Sequence, residues 1–166
     1  SVLEIWPELD VQEALKMSRM VRDLAAQLVE EINIQKDLVL AERGELKVEF
    51  RDLDAGSLLE RVCLLYRRHT VAQEKDIAPP AISGPTLIRS DEVLLFRLLG
   101  NLIKNALEAS ESGQTVTVSF RNNRKPMFLG HNETSMIEDV KLQVFQRFFS
   151  TKSGRGRGLG TYSVKL

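Results

Sequence analysis

The sequence predicts an α/β two-layer sandwich that follows one long helix. Two observations support this fold class. Residues 10–42 contain neither Gly nor Pro and place apolar side chains at spacings of three, four and seven, which is typical of an amphipathic helix. From residue 45 onward, short segments with the apolar and polar pattern of a strand are interspersed with segments of helical periodicity. This order favours helices packed against a sheet.

Composition narrows the function classes. The 166 residues include 23 basic and 23 acidic side chains, so the formal charge is zero and no electrostatic footprint for nucleic acid is visible. The apolar runs are far shorter than the roughly 18 residues of a membrane-spanning helix, and no signal or transit peptide is visible. We therefore expect membrane contact only through segments outside this chain. The single Cys63 excludes an internal disulfide and a zinc site built from cysteines.

The long helix is expected to begin after Asp10, which can act as its N-cap, and to end near Gly44. At ~1.5 Å per residue it would be about 50 Å long, which exceeds what the small domain behind it could cover. Its apolar stripe therefore needs a partner, and we expect self-association into a helical bundle. The alternative is an ordinary core helix of the same chain. The stripe consists of Val11, Leu15, Val21, Leu24, Ala25, Leu28, Ile32 and Val39.

Two elements are expected directly after this helix. Residues 46–50 alternate between apolar and polar side chains, which predicts a short strand with Leu46, Val48 and Phe50 on one face. Residues 57–69 have helical periodicity, and Cys63 is expected to be a small buried residue on the apolar face of this helix. Residues 70–87 are polar, and their Pro-Pro and Gly-Pro pairs predict a connection.

A stronger helix and strand follow. Residues 91–110 predict a helix, with Gly113 just beyond its end. Residues 115–120 alternate as a strand whose valines and phenylalanine point inward. The remaining expectations are a loop at 121–135 with a short extended piece at 127–129, a helix at 138–148 and a glycine-rich stretch at 153–160.

Asn101 and Asn105 stand four residues apart, so both amides lie on one face of the predicted helix. Asparagine is a weak helix former that is costly to bury unpaired, and two in register suggest a purpose. A carboxamide oxygen is a hard ligand that suits Mg²⁺, whose shell is completed by waters and substrate phosphates. The alternative for the pair alone is a solvated polar face.

The glycine-rich stretch offers a second chemical signal. Glycines let backbone N–H groups close on an anion, and a helix that begins after them directs its positive dipole end at a phosphate. The alternative is a flexible loop. The neighbouring cations Lys152, Arg155 and Arg157 favour a phosphate site.

Three segments occur in a fixed order: residues 101–106 with two asparagines, 145–152 with three phenylalanines, and 156–160 with three glycines. They resemble, in that order, the N box, the F box and the second glycine box in the catalytic and ATP-binding domain of bacterial sensor histidine kinases. Asp91 also stands where this family commonly has an aspartate. The long helix is similar to the second helix of the family's dimerisation and phosphotransfer hairpin.

The resemblance implies a dimerisation helix at residues 1–43 and a catalytic and ATP-binding domain at 44–166, which we expect to be incomplete at its C-terminus. It also implies a histidine kinase type of ATP-binding fold, with ATP bound between the N-box helix and a lid. A homodimer, a response regulator receiver domain as partner and a cytoplasmic location follow from the same resemblance.

The resemblance further implies roles for single residues. Asn105 would hold Mg²⁺ and Asn101 would support the metal and phosphate side of the site. Lys152 would neutralise phosphate charge. The second glycine box would contact ATP through Gly156, Arg157, Gly158, Leu159 and Gly160.

Two features depart from the family pattern. Residues 131–136 match the first glycine box, but His131 replaces the aspartate that reads adenine, and both glycines are absent. A neutral imidazole can accept the adenine hydrogen bond and a protonated one cannot, so we expect His131 and Asn132 to bind the nucleotide weakly and in a pH-sensitive manner. An exposed loop histidine is the alternative. No histidine precedes His69, so the phosphoacceptor expected on a first hairpin helix is missing.

Three functions remain to be compared. The leading one is transfer of the γ-phosphoryl group of Mg-ATP to a histidine outside this chain. The second is a degenerate domain without ATP turnover that acts as a dimeric signalling or binding module. The third is an ATP-hydrolysing relative of the gyrase type, which would place a general-base Glu where this chain has Arg97, and an arginine cannot take a proton from water.

Overall fold

The computed structural model describes residues 10–135. The chain divides after Leu46 into two compact units. The first unit contains the long helix, and the second contains a sandwich of helices and strands.

Helix α1 spans Val11–Glu42, as the periodicity predicts. Asp10 occupies the N-cap position, but its side chain makes no capping hydrogen bond, so the expected side-chain cap is wrong. The C-terminal end is confirmed at Gly44, which has φ of +70°. Gly44 N–H donates to Ala41 O at 3.0 Å and Glu45 N–H donates to Leu40 O at 2.8 Å, the two bonds of a Schellman motif.

The apolar stripe of α1 is exposed in the single chain. Between 54% and 72% of each of five stripe residues is accessible to solvent. The five residues are Val11, Leu15, Val21, Leu28 and Ile32.

The second unit contains two helices and six strands among its described residues. Asp54 caps the first of these helices, because its Oδ1 accepts from Ser57 N–H at 2.6 Å. The elements are β1 Arg51–Asp54, α2 Ala55–Arg67, a 3₁₀ turn Thr70–Ala72, β2 Asp76–Ile77, β3 Ala81–Ser83, β4 Leu87–Ser90, α3 Glu92–Ala109, β5 Thr115–Asn122 and β6 Pro126–His131.

Strand β5 is the centre of a mixed sheet. Strands β2 and β3 pair with it in parallel, and β6 pairs with it in antiparallel orientation. Strands β1 and β4 form a separate antiparallel pair. Helices α2 and α3 pack on one face of the sheet, which confirms the α/β sandwich. The fully buried side chains of this core include Leu59, Val62, Cys63, Ile77, Leu99, Ile103, Leu107, Val116 and Phe120.

Two expectations about strands are wrong, and a third gives a strand that is too short. Residues 46–50 form no strand, and Phe50 is 63% exposed, because β4 offers hydrogen-bond partners only to β1 at Arg51–Asp54. The connection at 70–87 contains β2 and β3, whose two or three residues are too short to show an alternation. The extended piece at 127–129 is the middle of the longer β6.

The other local expectations are confirmed. Helices α2 and α3 and strand β5 lie within two residues of their predicted bounds, and Cys63 is buried. Burial raises the pKa of the Cys63 thiol, which suits a residue without chemistry. The helix expected at 138–148 and the glycine-rich stretch at 153–160 lie outside the described residues.

Candidate functional site

Helix α3 carries both asparagines of the candidate site, and Asp91 determines where this helix begins. Its Oδ1 accepts from Val93 N–H at 2.9 Å and from Leu94 N–H at 3.0 Å, which is an N-cap. Its Oδ2 accepts from Glu49 N–H at 2.9 Å. One carboxylate therefore caps α3 and also ties it to the segment before β1.

The environment of Asp91 favours its charged form. Burial alone would raise the pKa of the carboxyl. Hydrogen bonds from the backbone N–H groups of Leu94, Glu49 and Val93 and the charge of Arg51 together outweigh burial, so the pKa lies below its ordinary value. A depressed folded-state pKa contributes stability above the unfolded pKa of about 3.9. This contribution is lost as the pH falls from there through the folded pKa.

Replacing Asp91 should separate its two roles. Asp91→Ala is expected to lower the free energy of unfolding by about 1 to 2 kcal/mol through the lost cap. A second loss adds to this, because Glu49 N–H also loses its acceptor. Asp91→Asn keeps one acceptor oxygen and cannot serve both sites, so it should lose about 1 kcal/mol. Urea unfolding measures both variants.

The same experiment in acid checks the electrostatic origin of the effect. Below about pH 4 the wild-type chain should lose the contribution of Asp91, and the difference from Asp91→Asn should shrink. A difference that stays constant down to the folded pKa would contradict this assignment. Asp52→Asn, at an exposed position of β1, serves as the matched control and should change stability little.

Close contact with α2 orients α3. A Cβ atom added at Gly100 would lie 3.0 Å from Tyr66 Oη, so the buried Tyr66 packs directly on the helix backbone. Glycine inside a helix costs about 1 kcal/mol relative to alanine, which indicates a packing requirement. Our sequence prediction overlooked Gly100, although this unfavourable position was the available signal.

Asn101 and Asn105 occupy one face of α3, as their spacing predicts. Asn101 lies two positions from both Leu99 and Ile103, about 200° around the helix from each of these core residues. Its residue exposure is nevertheless only 7%, and Asn105 is half-buried one turn later. A solvated polar face therefore does not describe Asn101. The pair presents two amide groups, whose oxygens can bind a hard cation and whose N–H groups can donate to phosphate.

Strand β6 ends beside the same helix. A Cβ atom added at Gly130 would lie 3.2 Å from Leu102 Cγ, and Leu102 lies between the two asparagines along α3. The structure thus brings the end of β6 to the part of α3 that carries the asparagines. Gly130 is a second residue that the sequence prediction missed, and a glycine inside a strand often marks such a close approach.

His131 is the last residue of β6 and is exposed. It pairs with Thr117 of β5, whereas Gly130 pairs with the buried Val118. Because successive residues of a strand point to opposite faces, the side chain of His131 leaves the sheet on the face away from α3. Asn132 follows it and is half-buried. The adenine-reading role of these two residues stays a prediction.

The other predicted site residues are not described by the structure. They are Lys152, Gly156, Arg157, Gly158, Leu159 and Gly160.

Two features of residues 10–135 are relevant to the kind of site. No group of three or more His, Cys, Asp or Glu side chains in this range could hold a metal ion. A magnesium site that relied on Asn105, waters and phosphates would not require such a group. No helix in the described part of the chain has both the length and the hydropathy of a membrane span.

The part of the chain that carries the candidate site matches a known protein family. Residues 90–166 match the family described as histidine kinase-, DNA gyrase B- and HSP90-like ATPases. This range begins one residue before the cap of α3 and includes both asparagines. Residues 90–166 therefore resemble the ATP-binding domain of this ATPase class.

The curated relatives of this chain are bacterial sensor proteins. The chain is 27% identical over 165 residues to the sensor protein IrlS of Burkholderia pseudomallei and covers 95% of its own length and 32% of that protein. It is 30% identical over 154 residues to the sensor-like histidine kinase SenX3 of Mycolicibacterium smegmatis, covering 88% of this chain and 40% of the relative. The chain thus spans about a third of the length of these two relatives.

Solved structures show the same fold. Full-length ShkA, in complex with AMPPNP, is 23% identical with a TM-score of 0.70, over 95% of this chain and 34% of that one. The Acinetobacter baumannii histidine kinase AdeS is 21% identical with a TM-score of 0.67, over 98% of this chain and 75% of that one. The family match and the curated relatives support an ATP-binding catalytic domain of the bacterial sensor histidine kinase type, and the solved structures support its fold.

Proposed function

We propose that this domain binds Mg-ATP at the face of α3 that carries Asn101 and Asn105, and that it transfers the γ-phosphoryl group to a histidine outside this chain. The observation that supports the proposal is the burial of Asn101 on the side of α3 that points away from the core. Helix geometry turns this amide away from the core residues Leu99 and Ile103. A polar ligand is a reason to keep it there.

The residues fit a magnesium ion. Asn105 would supply one hard oxygen ligand and Asn101 would position the neighbouring phosphate, while phosphates and waters would complete the shell. When bound, the metal would neutralise charge on the phosphates. Lys152 and the glycine box from Gly156 to Gly160, with Arg157 and Leu159, would enclose the rest of the triphosphate.

The chain itself needs to hold and orient the nucleotide. Phosphoryl transfer depends on positioning and charge stabilisation more than on covalent participation by the protein. Of the two histidines of the sequence, His69 begins a 3₁₀ turn and accepts from Val71 N–H through Nδ1 at 3.1 Å. This bond uses Nδ1 in a structural role, and His69 lies in the sandwich and not in a helical hairpin, so we place the phosphoacceptor on another segment or another chain.

Partners follow from the same proposal. The exposed stripe of α1 would pair with a second copy, and a response regulator receiver domain would receive the phosphoryl group. The histidine kinase ThkA was solved in complex with the response regulator TrrA. It matches 90% of the length of this chain with a TM-score of 0.57. We also propose a cytoplasmic location, where ATP and response regulators are available.

Calorimetric titration with Mg-ATP and Mg-ADP tests the proposal. We expect binding of both nucleotides and a loss of affinity when magnesium is chelated. Absence of binding in a folded chain would overturn the proposal.

A degenerate domain without ATP turnover is the second candidate. Glu133 and Ser135 stand where the family has glycines, and His131 leaves the sheet on the face away from α3. These features oppose tight adenine binding. The domain would then serve as a dimeric signalling module, and titration with nucleotide would give no heat of binding.

His131→Asp is expected to tighten ATP binding and to favour ATP over GTP. A carboxylate accepts the adenine amino hydrogen bond at every pH above its own titration, whereas an imidazole loses its acceptor when protonated. One such bond contributes about 0.5 to 1.5 kcal/mol, so the gain should be about two- to tenfold.

Thr117→Asp is the matched control for this substitution, because Thr117 pairs directly with His131 on the same face of the sheet. It adds a carboxylate nearby without restoring the adenine acceptor and should not improve binding. If His131→Asp leaves affinity and base preference unchanged, His131 does not read adenine. Adenosine in place of ATP isolates the contribution of the base to binding.

A further inference from the structure

We propose that the edge of β4 and the adjoining β5–β6 hairpin form a docking site for an extended, acidic segment of a partner protein. This surface does not include Asn101 or Asn105. The proposal therefore stands independently of nucleotide binding.

The first observation is an open strand edge. Among the described residues, β4 pairs only with β1. Ala55 N–H donates to Thr86 O at 2.9 Å, and the ladder continues with Leu53 opposite Ile88 and Arg51 opposite Ser90. Hydrogen-bonded pairs alternate along an antiparallel ladder, so the N–H and C=O groups of Leu87 and Arg89 point away from β1. These groups can pair with an added strand.

The second observation is a groove of about 300 Å³ along this edge. All four residues of β4 line it, as expected if the strand presents its edge rather than one face. The opposite wall includes Pro126 and Phe128 of β6, and Leu95 of α3 also lines the groove. Such walls can receive an apolar side chain of a bound peptide.

The third observation is charge. Residues 115–132 contain no Asp or Glu, although the whole chain has no net charge. Arg121, Arg124 and Lys125 lie at the turn of this hairpin and are exposed, and Arg89 on β4 is exposed as well. No ion pair holds these four cations in the described part of the chain. A segment with carboxylates would complement them.

The open edge favours a peptide over other anionic partners. A lipid surface or a free phosphate would satisfy the cations but not the backbone groups of β4. An extended acidic chain satisfies both, and its apolar side chains can enter the groove.

The probe is a fluorescent peptide of about eight residues that alternates Glu with Val or Leu, and its binding to the whole chain is measured by anisotropy at low salt. We expect saturable binding that weakens about three- to tenfold in Arg124→Glu. Arg68→Glu changes the same charge at an exposed residue beyond the end of α2 and should leave the affinity unchanged. Thermal unfolding verifies that both variants are folded.

Two altered probes separate strand addition from simple charge attraction, and neither requires a change in the protein. A peptide with alternate backbone nitrogens methylated keeps its charges but cannot pair with β4, and it should not bind. A peptide with Lys in place of Glu should not bind either. Equal binding of the methylated peptide would overturn the proposal. Binding to phosphatidylserine vesicles without binding to the acidic peptide would also overturn it and would assign the cations to a lipid surface.

Discussion

Asn105→Ala is expected to weaken binding of Mg-ATP by about 100-fold and to weaken binding of ATP in chelator much less. The variant loses the one protein oxygen proposed to contact the metal, and a neutral methyl group cannot replace it. Because Asn105 is only half-buried, its removal should not unfold α3. Calorimetry with and without magnesium measures the difference, and thermal unfolding verifies the fold.

Two further variants make this result specific. Asn105→Asp keeps a hard oxygen ligand and adds a charge, so it should retain magnesium-dependent binding. Asn101→Ala should lose affinity with a smaller dependence on magnesium, because Asn101 is proposed to support the phosphate side of the site. Equal losses with and without magnesium in Asn105→Ala would mean that Asn105 supports the helix and not the metal.

Replacing Val21 and Leu28 with Asp is expected to convert a dimer into monomers. These two side chains are 65% and 62% exposed in the single chain and lie seven residues apart on the stripe of α1. In a paired helix each Asp would be buried without a partner, which costs several kcal/mol per charge. The dissociation constant should rise by more than about 1,000-fold, which sedimentation equilibrium measures.

Gln12→Asp with Ala26→Asp is the control for this pair of substitutions. Both residues are exposed and gain the same charge when replaced, and they lie about 140° to 180° around α1 from Val21 and Leu28. The control should remain dimeric. A parent chain that is monomeric at every accessible concentration would remove the hypothesis, and so would equal weakening by the two pairs.

Local periodicity explains why much of the fold could be predicted. Helices α1, α2 and α3 and strand β5 are each long enough for their apolar side chains to repeat several times, and all four lie where the sequence predicts them. The end of α1 was also predictable, because Gly44 can adopt the positive φ that its C-terminal motif requires.

The strands that were predicted wrongly depend on pairing with residues distant in the sequence. Residues 46–50 do alternate, but Val48 and Phe50 are exposed, because no strand within residues 10–135 pairs with them. Strand β1 begins where β4, more than 30 residues later, provides hydrogen bonds. Strands β2 and β3 exist only through pairing with β5 and carry too few residues to be visible in a pattern.

The sequence by itself determined the chemistry of the candidate site and its placement on α3, because two asparagines four residues apart on a helix must share a face. It also determined the apolar stripe of α1. Only the tertiary structure decided how α3 is held: Asp91 joins it to Glu49, Tyr66 packs on Gly100, and Gly130 brings β6 against Leu102. It also decided that Asn101 is buried and that His131 leaves the sheet on the opposite face. These contacts join residues distant in the chain, so no local pattern of side chains can record them.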